Sequence, residues 1–232
     1  MSVSTRVTNR IRALLDALPR PIRDARWFMA PLFFVWCKGR HVRTWMDFKK
    51  LAPSMTLTQL RDFYGNATSL AAGRVTDTNP LALDHVLASL DPGARSLLDV
   101  GCGGGHFLRT LQRETSEMSL TGCDLLQRAN VGNADYAIGD NEALPFRDRA
   151  FDVVTCMHTL EHSRRVDLAI AELRRVCKRQ LIVIVPRQKY FYYTMDLHLQ
   201  FFPSEESLAR VLGVSADRIR RFGDDLVYAG PP

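Results

Sequence analysis

The sequence predicts an α/β protein: a doubly wound, mostly parallel, seven-stranded sheet with a helical extension in front of it. Three observations predict this. From residue 96 onward, short apolar runs alternate with stretches of helical periodicity, the pattern of parallel β-α-β units. A glycine cluster lies between the first of these runs and the next helical stretch, where an open parallel sheet places its ligands. The run Leu181 to Val185 is apolar on both faces, so it reads as a strand covered on both sides.

The elements follow in order. Residues 5–18 read as an amphipathic helix, with Val7, Ile11, Leu14, Leu15 and Leu18 at helical spacing and Pro19 and Pro21 at its end. The apolar run Trp27 to Cys37 is too short to cross a bilayer, which takes about 20 residues. Pro31 inside it speaks against a continuous helix. A basic stretch, Lys38 to Arg43, follows. A short helix is expected over 56–64. Another starts at Asn79-Pro80, with Asn as cap and Pro at the first helical position, and stops near Leu90. Strands are expected at 96–100, 120–124, 136–138, 151–157 and 181–185. Two closing strands, 218–222 and 226–229, meet at Gly223-Asp224. Helices are expected at 105–114, along the row Val166, Ile170, Leu173 and Val176, and from Ser204 to Gly213. The expected domains are an extension over 1–55 and an α/β domain over 56–232.

Composition narrows the classes. The net charge is +6, but eleven Lys and Arg against three Asp fall within residues 1–50, and the rest of the chain is slightly acidic. The high pI therefore belongs to the extension, and nucleic acid is not expected as a partner. The five cysteines show no C-x-x-C pair and are odd in number, so no metal site and no disulfide framework is expected. Scattered thiols and the lack of a secretory signal fit the cytoplasm. The basic, partly apolar residues 5–50 suit peripheral contact with an inner membrane surface.

The densest signal is Leu97 to Phe107, which contains Asp99, Gly101, Gly103 and Gly105. A dinucleotide fingerprint needs G-x-G-x-x-G, and its sixth position is His106. The spacing present is D-x-G-x-G-x-G. It resembles the first motif of class I S-adenosylmethionine-dependent methyltransferases. Asp124 ends the second strand, where a carboxylate can accept both hydroxyls of a ribose. Gly139 to Phe146, with Asp148, Phe151 and Asp152, resembles the G-D-A-E-x-L-P-F…F-D sequence of small-molecule methyltransferases. Cys156 to His162 resembles the L-E-H signature of the quinone-type members. The resemblance covers about residues 75 to 215.

It implies a Rossmann-like methyltransferase fold and S-adenosyl-L-methionine as cofactor. It places Asp99 at the amino end of the methionine moiety, the three glycines alongside it, Asp124 on the ribose, and Asp140 and Asn141 on the adenine. His158 is grouped with these cofactor-binding residues. Transfer from a sulfonium needs a base only for a hydroxyl or carbon-acid acceptor. His162 is the first candidate for that base; His158, Glu161 and His198 are lesser ones. The aromatic residues Tyr190, Phe191, Tyr192, Tyr193, Phe201 and Phe202 could wall an apolar acceptor site or pack under the N-terminal helices. The expected activity is methyl transfer to a small apolar or lipid-linked acceptor. A non-catalytic cofactor-binding subunit and an RNA methyltransferase are the alternatives.

Overall fold

The computed structural model describes residues 11, 14, 15, 17–67, 75–114, 118–127 and 130–232. Most of the helix expected over 5–18 lies outside these residues; positions 11, 14 and 15 are helical. The chain forms two compact units. One comprises residues 1–77 with 191–199, the other 78–190 with 200–232.

In the first unit, α1 (Arg20–Arg23), α2 (Arg26–Trp36), α3 (Val42–Met46), α4 (Phe48–Leu51) and α5 (Leu57–Asn66) follow one another. The α2 helix runs unbroken through Pro31, against the sequence expectation. Proline removes one N–H, the partner of the carbonyl four residues earlier. That carbonyl belongs to Trp27, and both Trp27 and Pro31 are exposed, so water can take the lost place. Thr56 and Gln59 form a reciprocal capping box that starts α5. The 191–199 segment packs on these helices. The Arg23 guanidinium lies 4.6 Å from the Phe191 ring centre. Tyr193 meets Phe33 edge-on, and the Trp36 indole N–H donates to the Met195 carbonyl at 2.8 Å. Of the two roles open to the aromatic stretch, Phe191 and Tyr193 take packing under the N-terminal helices.

The second unit holds the sheet. Its strands are β1 (Ser96–Val100), β2 (Ser119–Asp124), β3 (Asp135–Ile138), β4 (Phe151–Met157), β5 (Cys177–Pro186), β6 (Ile219–Phe222) and β7 (Asp225–Gly230). Their order is β3-β2-β1-β4-β5-β7-β6. The pairs among β1 to β5 are parallel, and β7 runs antiparallel to β5 and β6. The helices are α6 (Pro80–Ser89), α7 (His106–Glu114), α8 (Val166–Val176) and α9 (Glu205–Leu212). Asn79 caps α6 by accepting from the Leu81 N–H, and Gly213 ends α9 in the left-handed region.

Strand alternation divides the core. Leu98, Val154 and Val183 face one side with Ile170 and Leu173 of α8 and Leu208 of α9. Leu97, Val153 and Ile182 face the other with Val86 of α6 and Leu108 of α7. Residues 181–185 of β5 are fully buried, as the two-sided apolar run requires. The winding reverses between β1 and β4, and the crevice at a doubly wound sheet's reversal point is where ligands bind.

Candidate functional site

The turn from β1 into α7 is fastened to the sheet through one carbonyl. Cys123, at the end of β2, accepts from the Gly101 N–H at 2.7 Å and the Cys102 N–H at 3.2 Å. Gly101 and Gly103 have φ of +74° and +51°, a region that disfavours any residue with a Cβ. The surroundings of the two differ. A Cβ at Gly101 would run into the Thr159 side chain, 2.7 Å from its Cβ atom. A Cβ at Gly103 or Gly104 would meet nothing within 4 Å. Gly105 backs against the segment after β2, where a Cβ would sit 2.6 Å from the Asn130 carbonyl. The middle of the turn borders open space, and its two ends are packed.

Two carboxylates flank this turn on neighbouring strands. Asp99 is buried and accepts from the Thr155 hydroxyl at 2.7 Å. Burial pushes its carboxyl up to about 7, with the Thr155 bond opposing and the Asp124 charge adding. Asp124 accepts from the Gly103 N–H at 2.9 Å through one oxygen and from the Leu126 N–H at 2.9 Å through the other. A carboxylate has about four acceptor sites, so each oxygen keeps one for a ligand hydroxyl.

Asp140 follows β3 and is fixed on both oxygens. One accepts from the Glu142 N–H at 3.1 Å. The other pairs with Arg164 at 2.7 Å, and Arg164 also reaches Glu142 at 3.3 Å. The Asn141 amide donates to the Ser163 hydroxyl at 2.8 Å. Arg175 of α8 grips the next stretch of the same loop. It donates to the carbonyls of Phe146 at 2.7 Å and Leu144 at 3.1 Å, and pairs with Glu172 and Asp148. Replacing Arg175 by Ala removes these bonds together. The expected loss is about 2 to 3 kcal/mol of stability in urea unfolding. A loss below about 0.5 kcal/mol, the usual range for a surface substitution, would show that solvent replaces the guanidinium there.

Beyond β4, the His158 N–H donates to the Ile184 carbonyl at 2.9 Å, and the residue adopts φ +49°. Its imidazole lies between two buried carboxylates, with Nδ1 3.6 Å from Glu161 and Nε2 3.3 Å from Asp225. Burial alone would lower its pKa; pairing with Asp225 and Glu161 outweighs burial and raises it to about 10. An imidazolium held in this way has no lone pair to accept a proton at neutral pH. The raised value also ties stability to pH. The folded pKa lies above the ordinary 6.5, so the contribution is complete below about 6.5 and is lost as pH rises through about 10. Urea unfolding of the native chain should therefore weaken toward alkaline pH more steeply than that of His158→Gln. Parallel profiles would remove His158 from the pairing.

His162 ends the short 3₁₀ turn Leu160–His162 after β4 and is half-buried. His198 is buried within the first unit. His106 is the first residue of α7. Asp152 lies at the opposite end of β4, where it accepts from the Arg95 and Ser96 N–H groups. Among the motif residues, Asp99, Gly101, Gly103, Gly105, Asp124 and His158 therefore gather at the carboxyl ends of the strands, with Asp140 and Asn141 just after β3.

Sequence reasoning missed Thr155, Arg164, Arg175 and Asp225. Glu172 and Arg175 stand three residues apart on a helix, which signals a pair. Nothing local signals the loop carbonyls that Arg175 reaches.

Comparisons with known proteins bear on the family and the fold. Residues 98–185 match the methyltransferase domain family. A ubiquinone biosynthesis O-methyltransferase of Neisseria meningitidis is 32% identical over 98 residues, covering 37% of this chain and 41% of that protein. The chain thus spans less than half the length of that relative. A solved structure of a Pyrococcus horikoshii protein aligns with TM-score 0.53 at 15% identity, over 66% of this chain and 88% of that one. A SAM-dependent methyltransferase from Aquifex aeolicus aligns with TM-score 0.50 at 18% identity, over 66% and 93%. At these identities the solved structures establish the fold.

Proposed function

We propose, from the premise that residues 98–185 make this chain a class I S-adenosylmethionine-dependent methyltransferase, that it methylates a small apolar or lipid-linked acceptor. The observation that carries the cofactor reading is the open middle of the β1–α7 turn, between Asp99 and Asp124. The residues present fit that cofactor. Two carboxylates flank a turn that borders space, and backbone N–H groups already orient Asp124. When bound, the cofactor supplies a methyl group on a sulfonium, which is a good leaving group.

The chain's own residues would then bind and orient. Asp99 faces the ammonium end, and a cation beside it favours the ionised carboxylate against its burial. Asp124 accepts from the ribose hydroxyls. Asp140, steadied by Arg164, and the backbone of Asn141 address the adenine. Holding an acceptor in line with the methyl carbon supplies most of the rate enhancement. For a hydroxyl acceptor, His162 would take the proton at the mouth of the crevice.

The acceptor class is supported by the turn after β4, which carries Leu160, Glu161 and His162 in place of an Asp-Pro-Pro-Tyr sequence. The name of the Neisseria relative, an O-methyltransferase of ubiquinone biosynthesis, points the same way. Incubation with methyl-labelled cofactor and a panel of phenols, quinols and lipid extracts tests it. Label in an apolar product supports the proposal. Calorimetric binding of the cofactor with label only in RNA would refute the acceptor class, and no binding at millimolar cofactor would refute the cofactor.

A further inference from the structure

We propose that the outward face of α2, with the basic turn that follows it, docks onto a bilayer surface containing anionic lipid. The helix has two apolar sides. Met29, Phe33 and Trp36 are buried in the first unit. Trp27, Phe34 and Val35 are 75%, 60% and 63% exposed. With Pro31, these three fall at i, i+4, i+7 and i+8, a single stripe along the helix. Ile22, just upstream, is also exposed.

The charges sit where a membrane interface would use them. Phe34 leans on Gly39, where a Cβ would lie 3.2 Å from its ring, so the apolar stripe runs directly into the turn. Lys38 and Arg40 of that turn, and Arg43 in the following helix α3, are exposed. The acids of residues 20–50 are Asp24 and Asp47, and these pair with Arg23 and Arg26. Asp47 also feels the charges of Lys50 and Arg43, so Lys38 and Arg40 are the cations of the turn itself that give this face its positive charge. Lys38 and His41 hold φ of +53°, so a constrained backbone presents the cations.

A protein partner would also cover an apolar stripe, but cations beside an exposed Phe, at the end of a stripe that starts with an exposed Trp, complement a phosphate-bearing lipid surface. No helix among the described residues is long and apolar enough to cross a membrane. Eleven residues of helix extend about 16 Å, half the hydrocarbon thickness, so α2 would lie in the plane of the interface. The inference does not depend on which molecule accepts the methyl group.

The test uses the full chain with vesicles of phosphatidylcholine alone or mixed with phosphatidylglycerol. The expected result is co-sedimentation with the mixed vesicles that weakens as salt rises. Of the three tryptophans, Trp36 and Trp45 are buried and Trp27 is exposed, so binding should shift Trp emission to the blue, and Trp27→Phe should abolish the shift. Replacing Lys38, Arg40 and Arg43 together by Gln should weaken partitioning about a hundredfold, since each cation near an anionic surface contributes roughly fivefold. Phe34→Ala should weaken it with the circular dichroism spectrum unchanged. No binding to mixed vesicles would overturn the proposal. So would equal binding by the triple variant, or a blue shift that depends on protein concentration and needs no lipid. Cofactor calorimetry on the same variants should be unchanged, which separates this outcome from a failure of the methyltransferase reading.

Discussion

Asp124→Ala is expected to weaken cofactor binding by two to four orders of magnitude. The carboxylate would accept both ribose hydroxyls, and each hydrogen bond to a charged group contributes about 1.5 to 3 kcal/mol. The same substitution also frees the Gly103 N–H, which Asp124 now holds at 2.9 Å, so the turn loses an anchor together with the ligand contact. Asp124→Asn separates the two roles. Its amide oxygen can still accept from one backbone N–H, but the side chain loses its charge and half its acceptor capacity. Isothermal titration should rank the chains native, Asn, then Ala. Native affinity in the Ala variant would show that the ribose lies elsewhere.

Opposite outcomes are expected from one substitution made two residues apart. Gly101→Val should abolish folding or cost more than about 4 kcal/mol, because its Cβ would enter the Thr159 side chain and its backbone is left-handed. Gly103→Val should leave a folded protein, destabilised by about 1 to 3 kcal/mol through its φ alone, since nothing stands within 4 Å of the new Cβ. That protein should bind no cofactor, because the side chain would fill the space beside the turn. Thermal unfolding with and without cofactor distinguishes the two. A folded, cofactor-stabilised Gly103→Val chain would mean that the open space at this turn is not the ligand's.

The contrast shows what the sequence could and could not say about the turn. D-x-G-x-G-x-G marked the turn between β1 and α7, but it treats its glycines alike. Gly101 is set by a side chain 58 positions away, and only the folded chain reveals it. The fold was legible where periodicity is strong: β1, β4 and α8 stand where the apolar pattern put them. It was less legible where polar residues do structural work. β5 begins at Cys177, four residues before the apolar run, because Lys178 and Arg179 are exposed and the Gln180 amide bonds to the Ser89 carbonyl. α8 passes into β5 with no Gly or Pro to mark the change. Pro31 misled because its cost falls on a hydrated carbonyl. The acids of the third motif divided likewise. Asp140 stands just after β3, held by the Glu142 N–H and Arg164, while Asp148 and Asp152 secure a loop and a strand through Arg175 and the Ser96 N–H. A one-dimensional pattern does not separate the two uses of a carboxylate.

The reversed direction of β7 has a further consequence. The other strands bring their last residues to the ligand end of the sheet, but β7 brings its first, Asp225, opposite Pro186 and within reach of His158. The tip of the final hairpin therefore overlooks the crevice from the side away from Asp124. Lengthening or recharging that tip would alter the rim beside His158 while Asp99, Asp124 and the glycine turn, the groups proposed to hold the nucleoside, stay in place. Selectivity and cofactor capture would thus be adjustable by separate parts of the chain.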